Sequence, residues 1–252
     1  SLECFAKGKI VAEKKYEIDI EKLTKKIYSA SELESYFNCP FKHFVSYVLK
    51  IKPNENIEPN KRLFGNFQHA LLNKFLESNN QDIEEFLNEN LQKIASEIYN
   101  EKILKRNYFL KYLHSESKII LKNVVFEQKN SKFKPILLEE KILYPLSKEK
   151  TLTGFVDRVD KVDNYFRIID YKTGKTDNVK KDLFYGKKLQ LFLYANSMKE
   201  KLGLDCGGVY YFDCQTKYNK SNENTTLLKG VTKKDDEVVM FSDTRLWQED
   251  FR

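Results

Sequence analysis

Proline and glycine are scarce, five and nine in 252 residues, while the chain carries 15 Tyr and 18 Phe. That balance excludes a collagen-like, linker-like or low-complexity protein. Histidine is scarcer still: His43, His69 and His114 are the full set, without the ligand spacing of a His-rich small-molecule metallohydrolase. The four cysteines, Cys4, Cys39, Cys206 and Cys214, are scattered without a disulfide-scaffold pattern, which favours reduced thiols or a metal role over bridges. No apolar run reaches the ~18 residues of a membrane span, and the opening SLECFAKGKI lacks the apolar centre of a signal peptide. The chain is therefore expected in the cytoplasm, with no membrane partner. The missing initiator Met and the start in mid-pattern suggest a piece of something longer.

What is present is enough for a packed globule, at 41% hydrophobic and 13% aromatic residues. The formal charge is +7, from 44 Lys and Arg against 37 Asp and Glu. Such a surplus favours a polyanionic partner without proving one.

Periodicity divides the chain into helices followed by strands. SASELESYFNCPFKHFVSYVLKI (29–51) opens on a Ser–x–x–Glu capping signature and keeps helical spacing, as do 60–78, 82–104 and 106–128. From Pro135 the period shortens to two. PILLEEKILYPL, LTGFVDRVDKV and YFRIIDYKT read as three strands with a tight turn near Asp163-Asn164. Residues 181–203 return to helix and end on Gly203, and GGVYYFDC (207–214) is a further strand. Ile168, Phe155, Leu191 and Tyr210 are the expected core members around the sheet.

The charges inside GFVDRVDKVDNYFRIIDYKTGK (154–175) need a reason, because acids avoid strands. Alternation puts Asp170 and Lys172 on one face while Ile169 and Tyr171 point to the other. A hairpin brings Asp157 beside the 170 region, so two carboxylates and an ammonium converge. Carboxylates held that close repel unless a cation neutralises them, and a hard divalent ion would do so. The competing reading is an exposed hairpin laced with surface ion pairs.

In chain order, GNFQH (65–69), GFVDRVD (154–160), IIDYKTG (168–174) and QLFLY (190–194) resemble the motifs of the RecB-like branch of the PD-(D/E)xK nuclease superfamily, with Asp170-Tyr171-Lys172 as the D-x-K element. The 29–51 segment is similar to the one preceding the nuclease in AddB-type subunits of bacterial helicase-nucleases, so the likeness covers about residues 29–214. It implies an α/β (α+β) fold, a restriction-endonuclease-like mixed sheet flanked by helices with an N-terminal helical portion. The implied activity is exonuclease-type DNA hydrolysis with Mg²⁺, or Mn²⁺ in its place, in double-strand break processing and recombinational repair. DNA and a helicase-nuclease partner subunit that delivers single strands are the implied partners. A catalytically silent DNA-binding or subunit-assembly module is the alternative, and the intact His69, Asp157, Asp170 and Lys172 argue against it.

Carried over by position, the resemblance makes His69, Asp157 and Asp170 metal ligands together with the Tyr171 carbonyl. Lys172 would orient or activate the attacking water and stabilise charge, completing a catalytic set of Asp157, Asp170 and Lys172. Gly65 leaves room on the His69 face for a strand or for DNA. Gln190 and Tyr194, one helical turn apart, would steer the DNA strand or brace Lys172, although helix packing explains Tyr194 equally well. Lys175, Lys187 and Lys188 line the DNA path or a solvated face. One of Glu139 and Glu140 must face the Asp157 side, and Arg158 and Asp160 are expected in supporting ion pairs. GKT at 174–176 is not a phosphate-binding loop, because Ile169 stands where that loop needs Gly.

The expected plan is a lead-in over 1–28 and one nuclease domain over 29–252. Within it, 29–130 is a helical half, 135–214 the catalytic sheet and helix, and 215–252 an extension. Cys39 alone matches the four cysteines that hold a [4Fe-4S] cluster in many AddB-type proteins. No cluster is expected in this chain, and Cys39 is expected partly buried.

Overall fold

The computed structural model describes residues 25–51, 61–80, 82–106, 108–174, 182, 185, 187–214 and 228–244. A six-stranded mixed sheet forms its centre. Strand β1 (Ile27–Ser29) leads directly into helix α1 (Ala30–Asn38), whose N-cap Ser29 accepts the Glu32 N–H at 3.2 Å. The helix expected over 29–51 is interrupted at Cys39, which is extended at φ −162° and ψ 104°. Pro40 causes the break, since its ring drives the preceding residue out of the helical region and then serves well as a first helical residue. A short α2 (Pro40–His43) and a π-helical turn (Phe44–Val48) follow. Cys39, expected partly buried, is exposed at this break.

Helices α3 (Lys61–Ser78), α4 (Ile83–Ile98), α5 (Glu101–Leu104) and α6 (Phe109–Lys129) form the helical half. The helix expected over 82–104 restarts at Asn100, whose side chain caps α5 through Ile103 N–H. Strands β2 (Lys134–Pro145), β3 (Thr151–Val162) and β4 (Tyr165–Lys172) make the expected antiparallel meander, turning at Asp163 with φ 46°. Helix α7 (Gln190–Leu202) then crosses over to β5 (Asp205–Asp213), which runs parallel to β4. Gly203 ends α7 at φ 66°, a conformation that glycine adopts without a Cβ penalty. Strand β6 (Leu228–Thr232) and helix α8 (Asp236–Ser242) complete the described residues. None of their helices is long and apolar enough to cross a membrane.

Alternation along β4 and β5 divides the core between the two faces of the sheet. Ile169, Tyr171, Tyr210 and Phe212 pack on Phe67, Leu71, Phe86 and Leu121 of the helical half. Their neighbours Ile168, Val209 and Tyr211 pack on Leu191, Tyr194 and Met198 of α7. Ile168, Leu191 and Tyr210 are thus buried as expected, but Phe155 is 54% exposed. Phe155 pairs with Lys141 near the still more open Leu143, where nothing described covers that part of the β2–β3 ribbon. Periodicity tells which side a residue takes, not whether a second layer lies there.

Candidate active site

Strand β3 has two edges. One is occupied by β2 along most of its length, so β1 (at 151–153) and β4 (at 158–162) share the other. Residues 154–157 fall between them, where β4 parts from β3 beyond the Arg158–Ile169 pair. At that gap the Tyr171 N–H donates to the Asp157 carboxylate at 2.7 Å instead of to a main-chain carbonyl. The side chain finishes the ladder, which fixes the Asp157 rotamer at the mouth of the gap.

Helix α3 approaches from the helical half, with His69 facing this point. His69 Nε2–H donates to the Tyr171 carbonyl at 3.1 Å, and Nδ1 lies 3.4 Å from Asp157 Oδ2 and 3.9 Å from Glu139 Oε1. Burial alone would depress the imidazole. The hydrogen bond to Asp157 and the charges of Asp157, Asp170 and Glu139 outweigh it and raise its pKa above the ordinary 6.5. Glu139 occurs at φ 47°, a left-handed kink in β2, while Glu140 turns away to pair with Lys201. Of the two acids left open by the sequence, Glu139 faces Asp157. Burial and the Asp157 charge raise its carboxyl pKa.

Asp170 and Lys172 emerge together from β4, with Asp170 buried and its Oδ2 2.6 Å from Lys172 Nζ. Gln190, the first residue of α7, donates Nε2–H to Asp170 Oδ1 at 2.8 Å, and its Oε1 lies 3.5 Å from Lys172 Nζ. Burial, then the Asp157 charge, pushes the Asp170 carboxyl up to about 7 against the pull of Lys172. The Lys172 ammonium is held above its ordinary value because Asp170 outweighs the burial that would lower it. These carboxylates and the lysine are gathered in a partly buried cleft, not spread over an exposed hairpin.

Tyr194 lies one turn further along α7, buried, with its hydroxyl over Gly154. A Cβ on Gly154 would stand 2.2 Å from the Tyr194 oxygen and 2.7 Å from Cζ. The glycine of GFVD therefore exists to seat the tyrosine of QLFLY. We expect Gly154→Ala to lower stability by about 1–3 kcal/mol in urea unfolding, the usual result of overpacking. On a Tyr194→Leu background the same substitution should cost less. Equal costs on both backgrounds would show that the contact is not what excludes a side chain.

Of the remaining candidates, Gly65 faces Thr173, which a Cβ would meet at an ordinary 3.5 Å. Lys187 is exposed and 5.8 Å from the Tyr185 ring, and Lys188 pairs with Asp182 at 3.3 Å. Lys175 lies outside the described residues. One participant was missed: Glu34 of α1, whose Oε1 accepts the backbone N–H groups of Leu189 and Gln190 at 2.6 and 2.8 Å. Only the charge of a short helix 156 residues away marked it.

The donor set fits a hard divalent cation. His69, Glu139 and Asp157 each offer a ligand atom, all within 4.8 Å of one another. Two donors at ~2.1 Å from one ion lie at most ~4.2 Å apart, so only a small closure is needed. The buried Asp170 Oδ2 has the Lys172 ammonium, 2.6 Å away, as its partner. One imidazole among oxygens suits Mg²⁺ or Mn²⁺ better than a soft metal.

Residues 27–251 match the sequence model of the PD-(D/E)XK nuclease superfamily. Among curated relatives, an ATP-dependent helicase/deoxyribonuclease subunit of Thermoanaerobacter sp. (strain X514) is 31% identical over 244 residues, 82% of this chain and 21% of the relative. Its namesake from Caldanaerobacter subterraneus subsp. tengcongensis is 32% identical over 246 residues, covering 82% and 21%. That from Clostridium acetobutylicum is 30% identical over 233 residues, covering 79% and 20%. The chain spans about a fifth of the length of these relatives.

Proposed function

The chain belongs to the PD-(D/E)XK nuclease superfamily, and from that premise we propose that it is a divalent-metal-dependent DNA nuclease, hydrolysing phosphodiester bonds in strands delivered by a helicase during break processing. The convergence of His69, Asp157, Asp170 and Lys172, from α3, β3 and β4, carries this reading. The relatives' name, ATP-dependent helicase/deoxyribonuclease, supports DNA as the substrate and a helicase as the source of the strand.

His69, Asp157, Asp170 and the Tyr171 carbonyl would hold the ion, with Glu139 as a further donor. A bound divalent cation supplies charge neutralisation at the phosphate and a more acidic water. The Asp170 carboxylate beside Lys172 outweighs burial and favours its ammonium form, which suits a donor to the attacking water and the phosphate oxygens. Lys172 orients the attacking water and offsets the charge that builds on the phosphate oxygens. Gln190 holds both partners, with one end of its carboxamide on Asp170 and the other toward Lys172.

The test is incubation of labelled single- and double-stranded DNA with the chain in Mg²⁺, Mn²⁺ or EDTA. Shortened products with metal and none in EDTA are expected. DNA binding without cleavage in any divalent ion, also with a helicase partner present, would overturn the reading in favour of a binding module.

A further inference from the structure

We propose that Glu34 is a positioning residue for the cleavage site, setting the Gln190 carboxamide against Asp170 and Lys172 from a separate helix. Its effect on rate rests on the nuclease reading above, whereas its effect on geometry does not.

Helix α7 begins without a cap of its own. Leu189 stands at the N-cap position, where its apolar side chain accepts nothing, yet the first N–H groups of a helix have no partner inside it. Glu34 provides the missing acceptor from α1, one carboxylate oxygen receiving both Leu189 N–H and Gln190 N–H. The negative charge also sits at the positive end of the α7 dipole. One turn further along α1, Asn38 Nδ2–H donates to the Lys187 carbonyl at 3.4 Å. Helix α1 thus holds the chain from Lys187 to Gln190 at both ends.

The consequence lies in which residue is held. The backbone nitrogen fixed by Glu34 belongs to Gln190, whose side chain bridges Asp170 Oδ1 and Lys172. That carboxamide has a set polarity, because turned over it would point its NH2 at the Lys172 ammonium, donor against donor. Moving the Gln190 backbone therefore disturbs the acid and the lysine together. An ordinary cap would stabilise a helix, whereas this one roots a bridge between two reacting groups.

The experiment compares wild type, Glu34→Ala, Glu34→Gln, Gln190→Ala and the Glu34→Ala/Gln190→Ala double variant, each in the full chain. Glu34→Ala should lower kcat by about 10- to 100-fold, the range for removing the support of a first-line ligand. KM for DNA should stay within about twofold, since no substrate contact is lost. Glu34→Gln, which keeps an acceptor oxygen, should recover most of the rate. On the Gln190→Ala background Glu34→Ala should do nothing further. Undiminished loss on that background would overturn the proposal, because Glu34 would then act by another route. A second readout is independent of activity: in metal-free protein, the Gln190 side-chain amide and the Leu189 and Gln190 backbone amides should exchange slowly, and fast in Glu34→Ala. If wild type cuts no DNA in any divalent ion, also with a helicase partner present, the nuclease reading fails while this exchange comparison still decides Glu34. Side-chain amide protection unchanged in Glu34→Ala would end the proposal.

Discussion

Asn in place of Asp170 should abolish the proposed metal-dependent cleavage, by more than about 10³-fold, the upper end of what one lost charge-stabilising group costs. In the same variant, the metal-free fold above pH 7 should be no less stable than wild type. Both outcomes follow from one carboxyl that burial, then the Asp157 charge, pushes from its ordinary 3.8 up to about 7. Below pH 3.8 the acid is neutral in the folded and the unfolded chain, so wild type and Asn variant differ little. As pH rises from there toward about 7, the unfolded chain releases the proton while the folded chain keeps it, and wild type loses stability relative to the variant. Above that point the gap is constant. A divalent ion removes the penalty by compensating the charge, which Asn cannot exploit. Thermal melts in EDTA from pH 4 to 8, beside cleavage assays, check both halves. Equal cleavage by the two proteins, or a variant that weakens as pH rises, would sink the assignment. Lys172→Ala should behave differently, keeping metal affinity while losing roughly 10²- to 10³-fold in rate.

The charged strands announced this site because they broke a rule: Asp157, Asp170 and Lys172 stand where strand propensity disfavours them, and motif order tied them to His69. Alternation sufficed to put Asp170 and Lys172 together. Periodicity carries no information about where β4 parts from β3, so the bond from Tyr171 N–H to Asp157 was invisible. The kink at Glu139 was equally hidden, because its φ of 47° in a non-glycine residue has no composition signature. Glu34 looked like one more surface acid of a capped helix, and only the uncapped start of α7 gives it a task. Strand β6 and helix α8 were missed because their short apolar runs match no full period.

Asp160→Ala should cost about 3–5 kcal/mol of folding stability, the range for breaking a buried ion pair from one side. Sequence reasoning placed Arg158 and Asp160 in supporting pairs, and the structure buries them completely. Asp160 accepts from Arg158 Nε at 2.6 Å and from Arg167 Nε at 2.9 Å, and Glu127 of α6 bridges the outer nitrogens of both arginines. Two cations and two anions cancel among side chains that are at most 6% exposed. Without Asp160, both guanidiniums depend on Glu127 alone and one positive charge is left uncompensated in the core. Burial opposes the Asp160 charge, but Arg158 and Arg167 outweigh it and hold its pKa below the ordinary 3.8. Its contribution is therefore present above pH 3.8 and disappears as pH falls through the lower folded value. Urea unfolding at pH 7 reads the loss, and a difference under about 1 kcal/mol would contradict the charge argument. Replacing all four members by apolar residues of similar volume should recover much of the stability, because the penalty belongs to the unpaired charge and not to the absence of ions. The quartet ties β3, β4 and α6 together at Arg158, Asp160 and Arg167, immediately before the two strands part at Asp157. A variant weakened there should release that junction first, so cleavage should fall at urea concentrations below the global unfolding midpoint.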